Sequence, residues 1–164
     1  MAFLIYAQLA GQPRYFDYVD HALRSLADLQ PLRLLQGADW PDTRVLRDNG
    51  LVALWDGRYL PGLWLVHRAM AVAMPRARER GLSAVAIRRS HHIGCLAALV
   101  KQAADRGFIA QIHNSDPAGQ RVAPFGGTEA LFTPNPTAIG YPGPDHPVLV
   151  DTCASITTTS MTRQ

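Results

Sequence analysis

Residues 82 to 112 restrict the fold more than any other stretch, because three successive segments carry different periodicities. Leu82 to Ile87 is short, apolar and rich in small and β-branched residues, which predicts a buried strand. Leu96 to Ala104 places apolar residues at helical spacing among good helix formers, and Gly107 supplies the stop. Phe108 to Ile112 predicts a second strand. Strand, helix, strand in that order points to an α/β fold. His92 then falls in the loop leaving the first strand, beside a helix N-terminus, and Asp116 falls just after the second strand. If the two strands are neighbours, both side chains open at one end of the sheet, where open α/β sheets form their clefts.

The loops here are richer in polar and turn residues than packing requires. Ser90-His91-His92-Ile93-Gly94 is followed by Asn114-Ser115-Asp116-Pro117, Pro124-Phe125-Gly126-Gly127 and Thr133-Pro134-Asn135-Pro136. Such loops set polar groups around a cleft. A histidine beside a helix N-terminus feels positive potential that favours the neutral imidazole, whereas a carboxylate in contact pushes the other way and fixes the tautomer. That pair suits proton transfer near neutral pH. The plainer alternative is that His92 caps the helix and Asp116 opens the turn before Pro117. His91 is expected to be structural or solvent-facing.

Elsewhere the chain reads as one ordinary domain. It has 164 residues, 48% apolar and 18% charged, enough for a single core. The net charge of +3 comes from scattered residues and lends little support to nucleic-acid binding. Cys95 and Cys153 form no C-x-x-C pair and fit a reduced, cytoplasmic protein. Met1 to Ala10 is apolar but lacks a basic n-region and is too short to cross a bilayer, so no membrane partner is expected. Tyr15 to Leu29 predicts a helix with Phe16, Val19, Leu23 and Leu26 on one face, stopped by Pro31. Gln30 to Asn49 reads as a long connection. Leu51 to Trp55 predicts a strand turned by Asp56-Gly57, and Gly62 to Arg80 a helix with Leu65, Ala69, Val72 and Ala73 on one side. Pro75 should kink or divide that helix. Arg76, Arg78, Arg80, Arg88 and Arg89 read as a solvated face, or as a face meeting a cofactor phosphate. Thr137 to Gly140 and Val148 to Val150 predict strands joined by the turn Tyr141-Pro142-Gly143-Pro144. Neither G-x-G-x-x-G nor G-x-x-x-x-G-K-[ST] occurs, nor a G-x-S-x-G elbow, and no histidine or cysteine spacing suggests a metal site.

Five pieces, in this order and spacing, resemble one family. They are His92-Ile93-Gly94, Asn114-Ser115-Asp116-Pro117, Val122-Ala123-Pro124-Phe125-Gly126-Gly127, Asn135-Pro136 and Val150-Asp151-Thr152-Cys153-Ala154-Ser155. Together they look like the malate/L-lactate dehydrogenase family that lacks a Rossmann fold, over a stretch from Arg14 to Ser155. The resemblance implies an α/β fold, a mixed sheet of short strands flanked by helices with an N-terminal helical arm. Residues 1–50 would be arm and connection, and 51–164 the first part of an NAD(P)-binding domain, truncated at both ends relative to the family.

The implied activity is hydride transfer between NAD(P)H and a small 2-oxo acid, giving the 2-hydroxy acid. His92 would be the general acid/base, Asp116 would orient it, and Arg14 would clamp the substrate carboxylate. Ser115, Asp151, Thr152, Cys153 and Ala154 would line the cofactor, NAD or NADP. A homodimer is implied as well. The chain departs from the family where Leu9-Ala10 replaces Ser-His and where Ser160-Met161 replaces Gly-Lys. The competing expectation is a catalytically inactive homologue, acting at most as a ligand-binding or dimerisation module.

Overall fold

A computed structural model describes residues 42–116 and 118–155. The expectations for Arg14, for the helix from Tyr15 to Leu29 and for the segment after Ser155 lie outside these residues. The element order is β1 (Arg44–Asp48), β2 (Val52–Leu60), α1 (Gly62–Arg80), β3 (Ala84–Ser90), α2 (Leu96–Ala104), β4 (Ala110–His113), β5 (Thr137–Tyr141) and β6 (Val148–Thr152).

The strands of the described residues form two sheets of three. In the first, β1 pairs antiparallel with β2, and β2 pairs parallel with β3 across the α1 crossover. The second is an antiparallel meander, β4–β5–β6. The strand–helix–strand unit around α2 is therefore real as a sequence of elements but does not close within one sheet. β3 belongs to the first sheet and β4 to the second. Periodicity identifies a strand; which sheet it joins is decided by pairings distant in sequence.

β1 lies inside the stretch expected to be a connection, and its arginines and exposed faces hide it from a hydrophobic pattern. β2 does not turn at Asp56-Gly57 but runs on to Leu60. Gly57 serves a close approach instead: a Cβ there would stand 2.7 Å from Leu65 Cδ1 and 2.9 Å from the Arg89 carbonyl. The turn into β2 is made by Asn49-Gly50, where Asn49 Oδ1 accepts the Val52 N–H at 2.7 Å. β3 starts at Ala84, leaves Leu82 exposed and continues through Arg88 and Arg89. Among the described residues it is an edge strand, with Ala84 and Ala86 exposed, not a strand buried on both faces.

α1 runs through Pro75 as one element. Ala71 and Pro75 both face solvent, so water can satisfy the Ala71 carbonyl that the proline leaves without an N–H. The helix ends at Gly81, left-handed at φ 84°, whose N–H reaches the Ala77 carbonyl. α1 is apolar on two sides. Trp64, Leu65 and Ala69 pack with β2 and β3, against Leu60, Trp55 and Ile87. Leu63, Val66 and Met70 pack against the cluster of Ile93, Leu96, Leu99, Val100, Ala138 and Leu149. That second cluster is the core under the meander, with α2 seated on β5. Gly140 permits the fit, since a Cβ on it would lie 2.9 Å from the Val100 carbonyl oxygen. Among the described residues, no helix is long and apolar enough to cross a membrane.

Candidate functional site

One end of the second sheet collects most of the expected residues. The pairings His113↔Thr137 and Thr137↔Thr152 put the end of β4, the start of β5 and the end of β6 side by side. Asn114 to Asp116 leave β4 at this end, and Asp151 to Ala154 complete β6 there. Backbone and side-chain bonds knit these loops together. The Asn114 N–H donates to the Pro136 carbonyl at 3.0 Å, and the Ala154 N–H to the Pro134 carbonyl at 2.7 Å. The Ser115 hydroxyl donates to Asn135 Oδ1 at 2.8 Å, with Asn135 left-handed at φ 44°. The Cys153 thiol donates to the Ser155 carbonyl at 3.1 Å.

α2 brings the histidine loop to the same place. Its N-cap residue, Cys95, makes no side-chain cap, and the first turn carries no acid. Asp151 fills that role from β6: its Oδ2 accepts the Ala97 N–H at 2.8 Å. Half-burial pushes the Asp151 carboxyl above its ordinary value, and the Ala97 N–H pulls back. Burial also pushes the Cys95 thiol up, with the nearby Asp151 charge adding to the effect. Both effects favour the protonated thiol at Cys95.

His92 stands three residues before Cys95, and its side chain is exposed. The backbone around it is held firmly. The His91 N–H donates to the Leu60 carbonyl at 3.1 Å, and Ser90 Oγ donates to the His91 carbonyl at 2.8 Å. The His91 and His92 carbonyls press on the start of α1, where a Cβ on Gly62 would come within 2.8 Å of both. Ile93 is buried in the core and anchors the other side. His91 is exposed as expected, its ring centroid 6.0 Å from that of Tyr59.

Asp116 is exposed too, and its carboxylate turns toward its own loop. Oδ1 accepts the Ala118 N–H at 3.2 Å, and the Gly119 N–H donates to its carbonyl. No hydrogen bond or ion pair joins Asp116 to His92 among the described residues. Both side chains remain in solvent, neither covered by apolar packing. Ser115, Thr152 and Ala154 are exposed, whereas Asp151 and Cys153 are half-buried.

The basic string does not form one face. Arg76 forks onto Asp48 at 2.9 and 2.7 Å, and Arg78 stacks on Phe108. Arg88 and Arg89 converge on Asp56, a buried carboxylate that reads in the sequence as half of an Asp-Gly turn. The available signal was an aspartate inside an apolar run, matched by two arginines near the end of the next parallel strand. A groove of about 470 Å³ runs beside the Arg78–Phe108 stack, lined by Ala71, Met74, Pro75, Arg78, Arg106 and Phe108. Of the described site residues, neither His92, Ser115 and Asp116 nor Asp151 to Ala154 lines it. Among the described residues, no group of three or more His, Cys, Asp or Glu could hold a metal ion.

Comparison with known proteins gives this arrangement a family. The malate/L-lactate dehydrogenase profile matches residues 36–164. Hydroxycarboxylate dehydrogenase B of Escherichia coli K12 is 34% identical over 122 residues, which is 73% of this chain and 34% of that protein. Malate dehydrogenase of Pyrococcus horikoshii is 35% identical over 117 residues, 71% of this chain and 32% of that protein. Among solved structures, a dehydrogenase from Sinorhizobium meliloti superposes with TM-score 0.70 at 32% identity, covering 87% of this chain and 44% of that one. The P. horikoshii malate dehydrogenase structure gives TM-score 0.69 at 31% identity, covering 85% and 42%. The chain thus spans about a third of the length of these curated relatives. By sequence and by fold alike, the chain belongs to the malate/L-lactate dehydrogenase family.

Proposed function

We propose that this chain carries the acid/base half of an NAD(P)-dependent 2-hydroxy acid dehydrogenase site. The supporting observation is the gathering of the His92 loop, Asn114 to Asp116 and Asp151 to Ala154 at one end of the second sheet. His92 is the general acid/base. In the reducing direction its imidazolium gives a proton to the substrate carbonyl oxygen, which becomes the hydroxyl. In the oxidising direction the neutral ring takes that proton back. Asp116 orients His92 once its loop closes on substrate, a movement its exposed, self-capped turn permits. Arg14 holds the substrate carboxylate through its planar fork.

The strand end fits a dinucleotide. Thr152 and Ala154 are small and exposed, so a ligand backbone can approach closely, and Ser115 has a hydroxyl beside them. The bound cofactor supplies the hydride. Asp151 acts through α2, holding the helix N-terminus against this strand end. Malate, lactate and sulfolactate name the substrate class of the relatives, a small 2-hydroxy acid. Residues 51–164 form part of the cofactor domain. The working unit is a cytoplasmic homodimer, with exposed Phe125, Leu131 and Phe132 as apolar surface for a second copy.

Turnover of NADH or NADPH with a panel of small 2-oxo acids, followed at the nicotinamide absorbance band, tests this. The expected result is oxidation that falls by about 10²- to 10⁴-fold in His92→Ala. Absence of both turnover and cofactor binding in the unaltered chain overturns the reading. Cofactor binding without turnover leaves an inactive ligand-binding module.

A further inference from the structure

Asp56 is the buried charged side chain among the described residues, only 1% exposed. Its Oδ1 accepts Arg89 Nε at 2.8 Å and the Arg58 N–H at 3.0 Å. Its Oδ2 accepts Arg88 Nη2 at 3.2 Å and Arg89 Nη2. The chain around it is strained. Arg58, Tyr59 and Arg89 adopt φ of 52°, 60° and 55°, a region L residues rarely enter. Such conformations persist only where surrounding interactions over-determine them, and they concentrate at sites that must be held in one shape.

The strain has a visible consequence. The β2–β3 register breaks after Asp56 and resumes at Leu60↔Ser90. Three residues of β2, Gly57 to Tyr59, therefore stand opposite one of β3, Arg89, and β2 bulges beside the Asp56 carboxylate. From the resumed pair, the His91 N–H reaches the Leu60 carbonyl, and His92 is the next residue. The Arg89 guanidinium also lies over the Tyr59 ring at 5.6 Å, tying the β2 bulge to β3. The loop's other anchors, Gly62 and Ile93, are packing contacts that limit its depth. The Asp56–Arg89 fork is the charged contact next to them, where the strands end.

We infer that Asp56 and Arg89 are positioning residues for His92: their forked ion pair locks the bulged end of β2 to the end of β3 so that the loop presents His92 at the mouth of α2. Neither side chain acts on substrate; both act through the Leu60–His91 backbone bond. A carboxylate with a planar guanidinium gives a two-point, angle-sensitive clamp that a single charge does not reproduce. The inference rests on His92 being the acid/base. Small displacements of such a group from its reacting geometry are costly, about 10²-fold for roughly 1 Å.

The test uses the full chain with Asp56→Asn, Arg89→Lys and the control Arg76→Gln, which breaks a comparable fork at Asp48 outside the site. Amide hydrogen exchange reads the loop without requiring activity. The His91 amide should exchange about tenfold faster or more in Asp56→Asn and Arg89→Lys, while Leu99 and Val100 keep their protection. Arg76→Gln should leave His91 within about twofold of the unaltered chain. Where turnover is measurable, kcat should fall about tenfold or more, with KM changed by less than about threefold. Arg89→Lys keeps the charge and serves where Asp56→Asn fails to fold. Unchanged His91 exchange, or an equal loss of protection at His91 and across α2, overturns the inference and leaves Asp56 a general stabiliser. Absent turnover in the unaltered chain ends the dehydrogenase reading alone, and the exchange data still decide whether the clamp controls the loop.

Discussion

Asp151 accepts the Ala97 N–H at the first turn of α2, yet half-burial pushes its carboxyl above the ordinary 3.8. The folded chain therefore binds this proton more tightly than the unfolded chain does. The resulting stability is complete below pH 3.8 and is lost as pH rises from there through the raised folded value. Asp56 and Asp48 have the opposite sign. The arginine fork on each holds its carboxyl below the ordinary range, so their stabilisation is present above 3.8 and lost in stronger acid. Asp151→Asn keeps an oxygen for the Ala97 N–H and removes the ionisation. Urea denaturation across pH 3 to 8 should show the variant at least as stable as the unaltered chain at neutral pH, by up to about 1 kcal/mol. The gap should close in acid. If the end of β6 meets the cofactor as proposed and Asp151 holds α2 against it, nicotinamide binding should not improve in step. A variant less stable at pH 7 would show that the ionised form is the one the helix terminus favours.

At the scale of elements, α2 lies tightly on β5. Leu99 and Val100 are fully buried, and the Val100 backbone lies directly over Gly140. A Cβ at residue 140 would meet backbone atoms at 2.9 to 3.1 Å, and backbone yields less readily than a side-chain end. Gly140→Ala should therefore cost about 1 to 3 kcal/mol by thermal or urea unfolding, although alanine is ordinarily the easier residue to order. Stability equal to the unaltered chain would mean that α2 rides up without loss. α2 is also the element most legible in the sequence, from Leu96 to Ala104, because helix formers, an unbroken apolar face and the Gly107 stop are all local. β2 was legible only in its first half. Asp56-Gly57 has local turn chemistry, and what overrides it is non-local: arginines from β3, and Leu65 of α1 packed against Gly57. The site shows the same division. The motifs around His92, Ser115 and Asp151 are readable through their family resemblance, whereas the Asp151–Ala97 bond and the Asp56 clamp depend on residues more than thirty positions away.

At the scale of the whole molecule, α1 determines whether two three-stranded sheets behave as one body. A helix apolar on one side would serve the first sheet alone and leave the meander a marginal unit, since three short strands need a covering layer to be stable. α1 instead sends Leu63, Val66 and Met70 into the core beneath the meander, while Trp64, Leu65 and Ala69 stay with β2 and β3. With Trp40 replaced by phenylalanine, the tryptophans at 55 and 64 report on the first sheet, and amide exchange in β5 reports on the second. Both probes should lose structure at the same urea concentration, as a single cooperative unit requires. Met70→Ala should weaken the joint: truncation of a partly buried methionine removes roughly 1 to 3 kcal/mol of packing. Because Met70 packs against the core beneath the meander, β5 protection should fall before tryptophan fluorescence changes, separating two transitions that were one. Coincident transitions in the variant would mean that α2 and the loop from Ser90 to Cys95 couple the sheets without help from α1. The strand end that gathers the site would then be held by its histidine loop, and the clamp at Asp56 would matter to the stability of the meander as well as to the placement of His92.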